Sequence, residues 1–177
     1  LRAEFQRLML GGIRGIRIVP PGNGSRTWLD SSGMRDLWQC SARQPMVVCP
    51  LIDASQIPAI SRMCQLHPET PVVIDHMANI GSDGTFREAD LQSLCNLAHT
   101  ANTYVKVSAF YYLGQKCPPY VEISPVIRRL LYAFGAERLM WGSDSPFQLE
   151  PPNSYQASIE FVNERLDFLS IEEKAWL

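Results

Sequence analysis

The stretch Pro71-Val-Val-Ile-Asp-His76 is short, mostly apolar and rich in β-branched residues, and it ends on a histidine. A run of that kind reads as a buried strand. Four other stretches share its character, at residues 13–19, 46–51, 104–110 and 138–142. Between them the apolar spacing turns helical. Ile57, Ile60 and Cys64 share one face, and Leu91, Leu94, Cys95 and Ala98 share another. Ile123, Val126, Ile127, Leu130, Leu131 and Phe134 form the clearest stripe. Thr85 with Glu88 makes a capping box ahead of the Leu91 helix, and Gly135 sits where a helix-ending glycine belongs. Residues 1–11 read as a further amphipathic helix. Short buried strands alternating with helices imply parallel βα units, in a barrel or a doubly wound sheet.

Loop lengths show where chemistry would sit. The joins from helix to strand are terse, at residues 43–45, 67–70, 100–102 and 135–137. Those from strand to helix are longer, at 20–29, 77–85, 111–121 and 145–153. Elaboration at the C-terminal ends of the strands is where both parallel architectures place their active sites. His76 ends one strand, and Asp144 follows Leu139-Met-Trp-Gly-Ser at the end of another. Singly, each has a bland reading, as a hydrogen-bonded rim histidine and a helix-capping aspartate. Together they can do more, because a carboxylate can take a proton from water and an imidazole can ligate a metal or polarise a carbonyl. His67, in a helix-to-strand turn, and His99, closing a helix, lie away from that face.

Strand alternation adds interior candidates. Ile16 and Ile18 share a face opposite Arg17, while Val105, Val107 and Ala109 leave Lys106 and Ser108 on the other side. With apolar residues under the helices, Arg17, Lys106 and Ser108 point into the barrel. A buried cation needs a partner, so each meets either an interior carboxylate or a ligand. Val72, Ile74 and Met140 are expected on the same inner face. Gly142-Ser143-Asp144 lacks the flanking glycines of a nucleophile elbow. Pro21-Gly22-Asn23-Gly24 lacks the Lys-Ser/Thr of a phosphate loop and reads as a turn. Trp28, Trp38, Trp141 and Trp176 read as packing residues.

Composition narrows the class. The 177 residues are 46 % hydrophobic, enough for one domain with a substantial core. A net charge of −2 gives no case for nucleic acid or an anionic membrane as partner, and no apolar run approaches the roughly 20 residues of a membrane span. The five cysteines, Cys40, Cys49, Cys64, Cys95 and Cys117, are odd in number and widely spaced, which suits buried thiols in a reducing cytoplasm. Leu1 falls inside a helical pattern and Ser170-Ile-Glu-Glu173 opens a helix just before the last residue, so the sequence is expected to be a piece cut at both ends.

Gly12-Ile-Arg-Gly-Ile-Arg17, Pro71-Val-Val-Ile-Asp-His-Met77, Tyr104-Val-Lys-Val-Ser108 and Glu137-Arg-Leu-Met-Trp-Gly-Ser-Asp-Ser-Pro146 occur in that order. This series resembles the amidohydrolase-related family of sugar-acid lactonases and 2-pyrone-4,6-dicarboxylate hydrolase. The resemblance runs over nearly the whole chain, and its last motif is the most specific. It implies a distorted TIM barrel in which the position of His76 binds metal or the substrate carbonyl. It further implies that Asp144 is the general base towards water and that Arg17 steadies an anionic substrate. The family's first strand ends in a His-x-His pair that this chain lacks. Residues 1–177 are therefore expected to be one incomplete α/β domain, a partial (β/α)8 barrel without about the first two strands of a fold of about 250 residues. Ser108 stands near a position where metal-dependent relatives place a histidine. The resemblance thus leaves one divalent ion, zinc or manganese, held through His76 and Asp144, or metal-free catalysis.

The resulting expectation is a hydrolase of a small anionic lactone. Asp144 and His76 are catalytic, and Arg17, Lys106 and Ser108 bind substrate. The parent protein is the active species, and the segment alone is expected to be inactive. A metal-dependent decarboxylase of the same superfamily and a non-catalytic α/β module are the alternatives.

Overall fold

Right-handed crossovers between parallel strands place each connecting helix on one face of the sheet, provided that the strand order never doubles back. The computed structural model, which describes residues 2–21, 27–44 and 46–177, has that arrangement. Strands β1 (Gly15–Ile18), β2 (Val47–Pro50), β3 (Val72–Ile74), β4 (Thr103–Ser108) and β5 (Leu139–Gly142) are all parallel and lie side by side in chain order. A doubly wound sheet reverses its order at a switch point; this one does not. It is an arc of a barrel. Helices α1 (Arg2–Leu10), α2 (Ser32–Arg43), α3 (Ile57–Leu66), α4 (Glu88–Asn96), α5 (Ser124–Phe134), α6 (Tyr155–Glu160) and α7 (Ile171–Trp176) complete the regular elements. No helix among the described residues is long and apolar enough to cross a membrane.

The core lies between sheet and helices. Val48, Ile74, Val105, Val107 and Leu139 from the strands share one buried cluster with Ile60, Leu94, Ile127 and Leu130 from the helices. Each such side chain contributes roughly 1.5–3 kcal/mol on burial. Ile18 is buried in the same cluster, and Ile16 packs against it partly exposed. The opposite face of the sheet is less covered: Cys49, Tyr104, Lys106 and Met140 are all partly exposed. Val72 and Ile74 do not lie on that inner face. They are buried under the helices, and Val73 takes the inward position. The reason is Asp75, whose carboxylate is drawn inward by two cations, and alternation then turns Val73 in and its neighbours out.

Local signals behave as their chemistry requires, with exceptions at boundaries. Gly135 ends α5 with φ of 75°, and both bonds of the Ser170–Glu173 capping box form, at 2.8 and 3.1 Å. Thr85 is not a cap. Arg87 holds that position, and the Thr85 backbone N–H donates instead to Asp83 Oδ1 at 3.0 Å, closing a turn before the helix. The Pro21–Gly24 turn falls largely outside the described residues. All five cysteines are free, with Cys40, Cys64 and Cys95 buried but Cys49 and Cys117 partly exposed. Trp28 and Trp38 are buried, whereas Trp176 is exposed.

The loops after β3 and β4 are tied together at Gly81. Its carbonyl accepts the N–H groups of Gly84 and Gly114, each at 2.9 Å. Gly81 has φ of 92°, and a Cβ there would fall against the Phe86 ring. Strain and clash act together at that position, so Gly81→Ala should destabilise the fold by about 1–3 kcal/mol. Urea denaturation checks this, and an unchanged midpoint would show that the two loops hold together without it.

Candidate active site

Three strand ends turn in the same unusual way. After β3, residues His76, Met77, Ala78 and Asn79 all have φ of 50–53°. After β4 and β5, Ala109 and Asp144 have φ of 60° and 50°. The left-handed region disfavours residues with a Cβ by roughly 1–2 kcal/mol each. These turns stop the strands abruptly and swing the following side chains over the C-terminal end of the sheet. At β3 the reversal lets the adjacent residues Asp75 and His76 serve the same end, which plain alternation would forbid.

Asp75 is fully buried and pairs with two cations. Its Oδ1 lies 2.6 Å from Lys106 Nζ and its Oδ2 lies 2.8 Å from Arg17 Nε. An isolated buried carboxylate would cost several kcal/mol, and the two cations offset that cost. They come from β1 and β4, on either side of β3 and β2, so the triad spans four strands. Sequence reasoning left Arg17 and Lys106 to meet either an interior carboxylate or a ligand, and did not identify the carboxylate. Its signal was its place beside His76 in the strand. Lys106 is directed to Asp75 and does not line the cleft, while the half-exposed Arg17 does.

Above this triad lies a cleft of about 280 Å³, at the small end of ligand-sized cavities. Arg17, His76, Asn79, Tyr111, Asp144 and Phe147 are among its lining residues. A larger hollow of about 550 Å³, lined by Gln6, Met9, Leu10, Arg14 and Gln44, sits at the opposite ends of the strands and has no carboxylate or imidazole. In the cleft, His76 Nε2 faces Asp144 Oδ2 at 3.6 Å. His76 Nδ1 shares a 2.8 Å hydrogen bond with Ser108 Oγ, so that hydroxyl orients the imidazole. Burial lowers the His76 pKa below its ordinary value, against the opposing pull of Asp144. The imidazole is therefore neutral at pH 7. Asn79 donates to Asp53 Oδ1 at 3.1 Å, and Tyr111 donates its hydroxyl proton to Asp144 Oδ2 at 2.7 Å. Neither Asn79 nor Tyr111 carried a sequence signal, because both belong to long loops whose path is set by tertiary contacts.

His76 and Asp144 offer two donors to a cation. Catalytic zinc takes three protein ligands, and no group of three or more His, Cys, Asp or Glu able to hold an ion occurs among the described residues. The described residues alone do not form a metal centre.

With this geometry in hand, comparison with known proteins is informative. The chain is 26 % identical over 133 residues to the L-fucono-1,5-lactonase of Burkholderia ambifaria, covering 75 % of this chain and 46 % of that protein. It is 27 % identical over 90 residues to the 4-sulfomuconolactone hydrolase of Rhizobium radiobacter, covering 50 % of this chain and 30 % of that one. The chain thus spans less than half the length of these two curated relatives. Among solved structures, an amidohydrolase from Burkholderia multivorans with bound zinc superposes with a TM-score of 0.83 at 23 % identity, covering 99 % of this chain and 66 % of its own. That likeness shows the fold. The amidohydrolase family profile matches residues 1–177, and with the sequential parallel sheet beneath the cleft it places this chain in the amidohydrolase family.

Proposed function

We propose that these residues form part of the active site of a hydrolase that opens a small, anionic lactone. The observation that supports it best is the meeting of an imidazole and a carboxylate at 3.6 Å in a cleft whose rim carries the Arg17 guanidinium. Two curated relatives act on lactones by name, which agrees with this reading.

In this reading Asp144 takes a proton from water, and the resulting hydroxide attacks the lactone carbonyl carbon. Ser108 donates its hydroxyl proton to His76 Nδ1, which fixes the proton of the neutral ring on Nε2. Nε2–H then donates to the developing oxyanion, where a fixed dipole in a partly dry site is most effective. The ring C–O bond breaks as the tetrahedral intermediate collapses. Asp144 returns its proton to the departing alkoxide, so the carboxylate is regenerated. Arg17, held through Nε by Asp75, presents its remaining N–H groups to a substrate carboxylate. Lys106 acts indirectly by sharing Asp75.

Asp144→Asn should lower lactone turnover by roughly 10²–10⁴-fold with an unchanged circular dichroism spectrum, because the amide keeps the shape but cannot accept the proton. Steady-state assay of the natural full-length chain on a panel of lactone carboxylates measures this, and near-normal turnover would reduce Asp144 to a structural role. On the same panel, Arg17→Gln should raise KM by about 10–100-fold for anionic lactones and leave neutral ones little changed, in line with a charge-assisted hydrogen bond. An equal loss on both substrate types would show that Arg17 acts on the fold. Aromatic carboxylic acids complete the panel. Release of carbon dioxide from them, with no lactone opened, would replace this reading with decarboxylation.

A further inference from the structure

Tyr111 has no role in the steps above, yet it makes the shortest contact to the proposed base. It lies in the turn Phe110–Tyr112, which follows the left-handed Ala109. Its ring stacks on Phe147 with centroids 6.2 Å apart and planes at 24°. That packing aims the hydroxyl at Asp144. The acceptor is Oδ2, the same oxygen that faces His76 Nε2. The bond is a phenol donating to a carboxylate, a charge-assisted type about twice as strong as a neutral one. Among the described residues no hydrogen bond reaches the other oxygen, Oδ1.

This arrangement bears on cations as well as on water. An ion shared by His76 and Asp144 would sit about 2.0–2.2 Å from Nε2 and from a carboxylate oxygen. The separation of 3.6 Å between Nε2 and Oδ2 would admit such an ion. The Tyr111 proton already points at Oδ2, however, and its positive end opposes a cation there. A bridging ion would have to share Oδ2 with the 2.7 Å hydrogen bond, which draws negative charge from that oxygen.

We infer that Tyr111 is a positioning residue whose hydroxyl pins Asp144 Oδ2, leaves Oδ1 to take the proton from water, and weakens Oδ2 as a partner of His76 around a divalent ion. The first consequence rests on the lactone reading above. The second is independent of any substrate.

Calorimetric titration of zinc into the metal-stripped protein tests it, comparing wild type, Tyr111→Phe and the double variant Tyr111→Phe/His76→Gln. Phenylalanine keeps the ring and its stack on Phe147, so the single variant should melt like wild type. Zinc affinity should rise at least tenfold in Tyr111→Phe, and the gain should vanish in the double variant. Equal affinity within twofold for wild type and Tyr111→Phe, or a gain that survives loss of His76, would overturn the inference. With an active lactone substrate, kcat of Tyr111→Phe should fall about 10–100-fold while KM stays within threefold, as expected for an interaction that orients a general base. An unchanged kcat would refute the orienting role. If no lactone is turned over by wild type, the lactone reading fails, and the zinc comparison still decides what Tyr111 does.

Discussion

Asp75 is the point on which the site depends. It is fully buried, and each of its oxygens faces a cation from a different strand. Moving β3 by one residue would leave the carboxylate under the helices, unpaired, and would strand Arg17 and Lys106 on the other face. The energetic difference between those arrangements is several kcal/mol, larger than most single packing terms in the core. The triad therefore fixes the register of β1, β3 and β4 relative to one another. It also makes Arg17 a guanidinium of fixed position, while His76, the next residue after Asp75, inherits its place from the same constraint.

The strand ends carry strain in a way that fits this picture. Six residues with side chains adopt left-handed conformations within His76–Asn79 and at Ala109 and Asp144. Such conformations persist only where the surroundings enforce them, and they gather at sites where side chains must be aimed. Below them, Ile74, Val105 and Val107 are fully buried and anchor β3 and β4 in the helix-covered core. That rigid base supplies the stability from which the strain is drawn. The loops are fastened in turn by the paired hydrogen bonds to the Gly81 carbonyl and by the Tyr111–Phe147 stack.

Hydroxyl groups meet the two proposed catalytic side chains from opposite sides. Ser108 meets His76 at Nδ1, and Tyr111 meets Asp144 at Oδ2. Each leaves one atom of its partner free towards the cleft. An imidazole and a carboxylate left alone at this distance would attract protons or cations with little selectivity, and the flanking hydroxyls restrict what each atom can do. Cys49 stands opposite Arg17 in the β1–β2 register, and burial raises its thiol pKa against the pull of Lys106 and Arg17.

The amphipathic periods of α3, α4 and α5 and the β-branched runs of the strands were enough to read a parallel α/β chain. The order of loop lengths then identified the face that carries the site. These features are local: an apolar stripe at helical spacing can be buried in only one way, and a helix-ending glycine acts on its own turn. The sequence by itself also determined that Arg17 and Lys106 needed a partner, an interior carboxylate or a ligand, because charge burial is costly wherever it occurs. It did not determine which one. Strand alternation sends Asp75 and His76 to opposite faces, and only the left-handed turn, enforced by packing around it, brings both to one site. Ser108 read as a substrate ligand, and the structure turns its hydroxyl to His76 because β3 and β4 are adjacent. Tyr111 meets Asp144 across 33 positions of sequence, through loops with no periodic pattern. Contacts of that length depend on the relative placement of whole strands, which no local preference encodes, and so tertiary structure alone decided them.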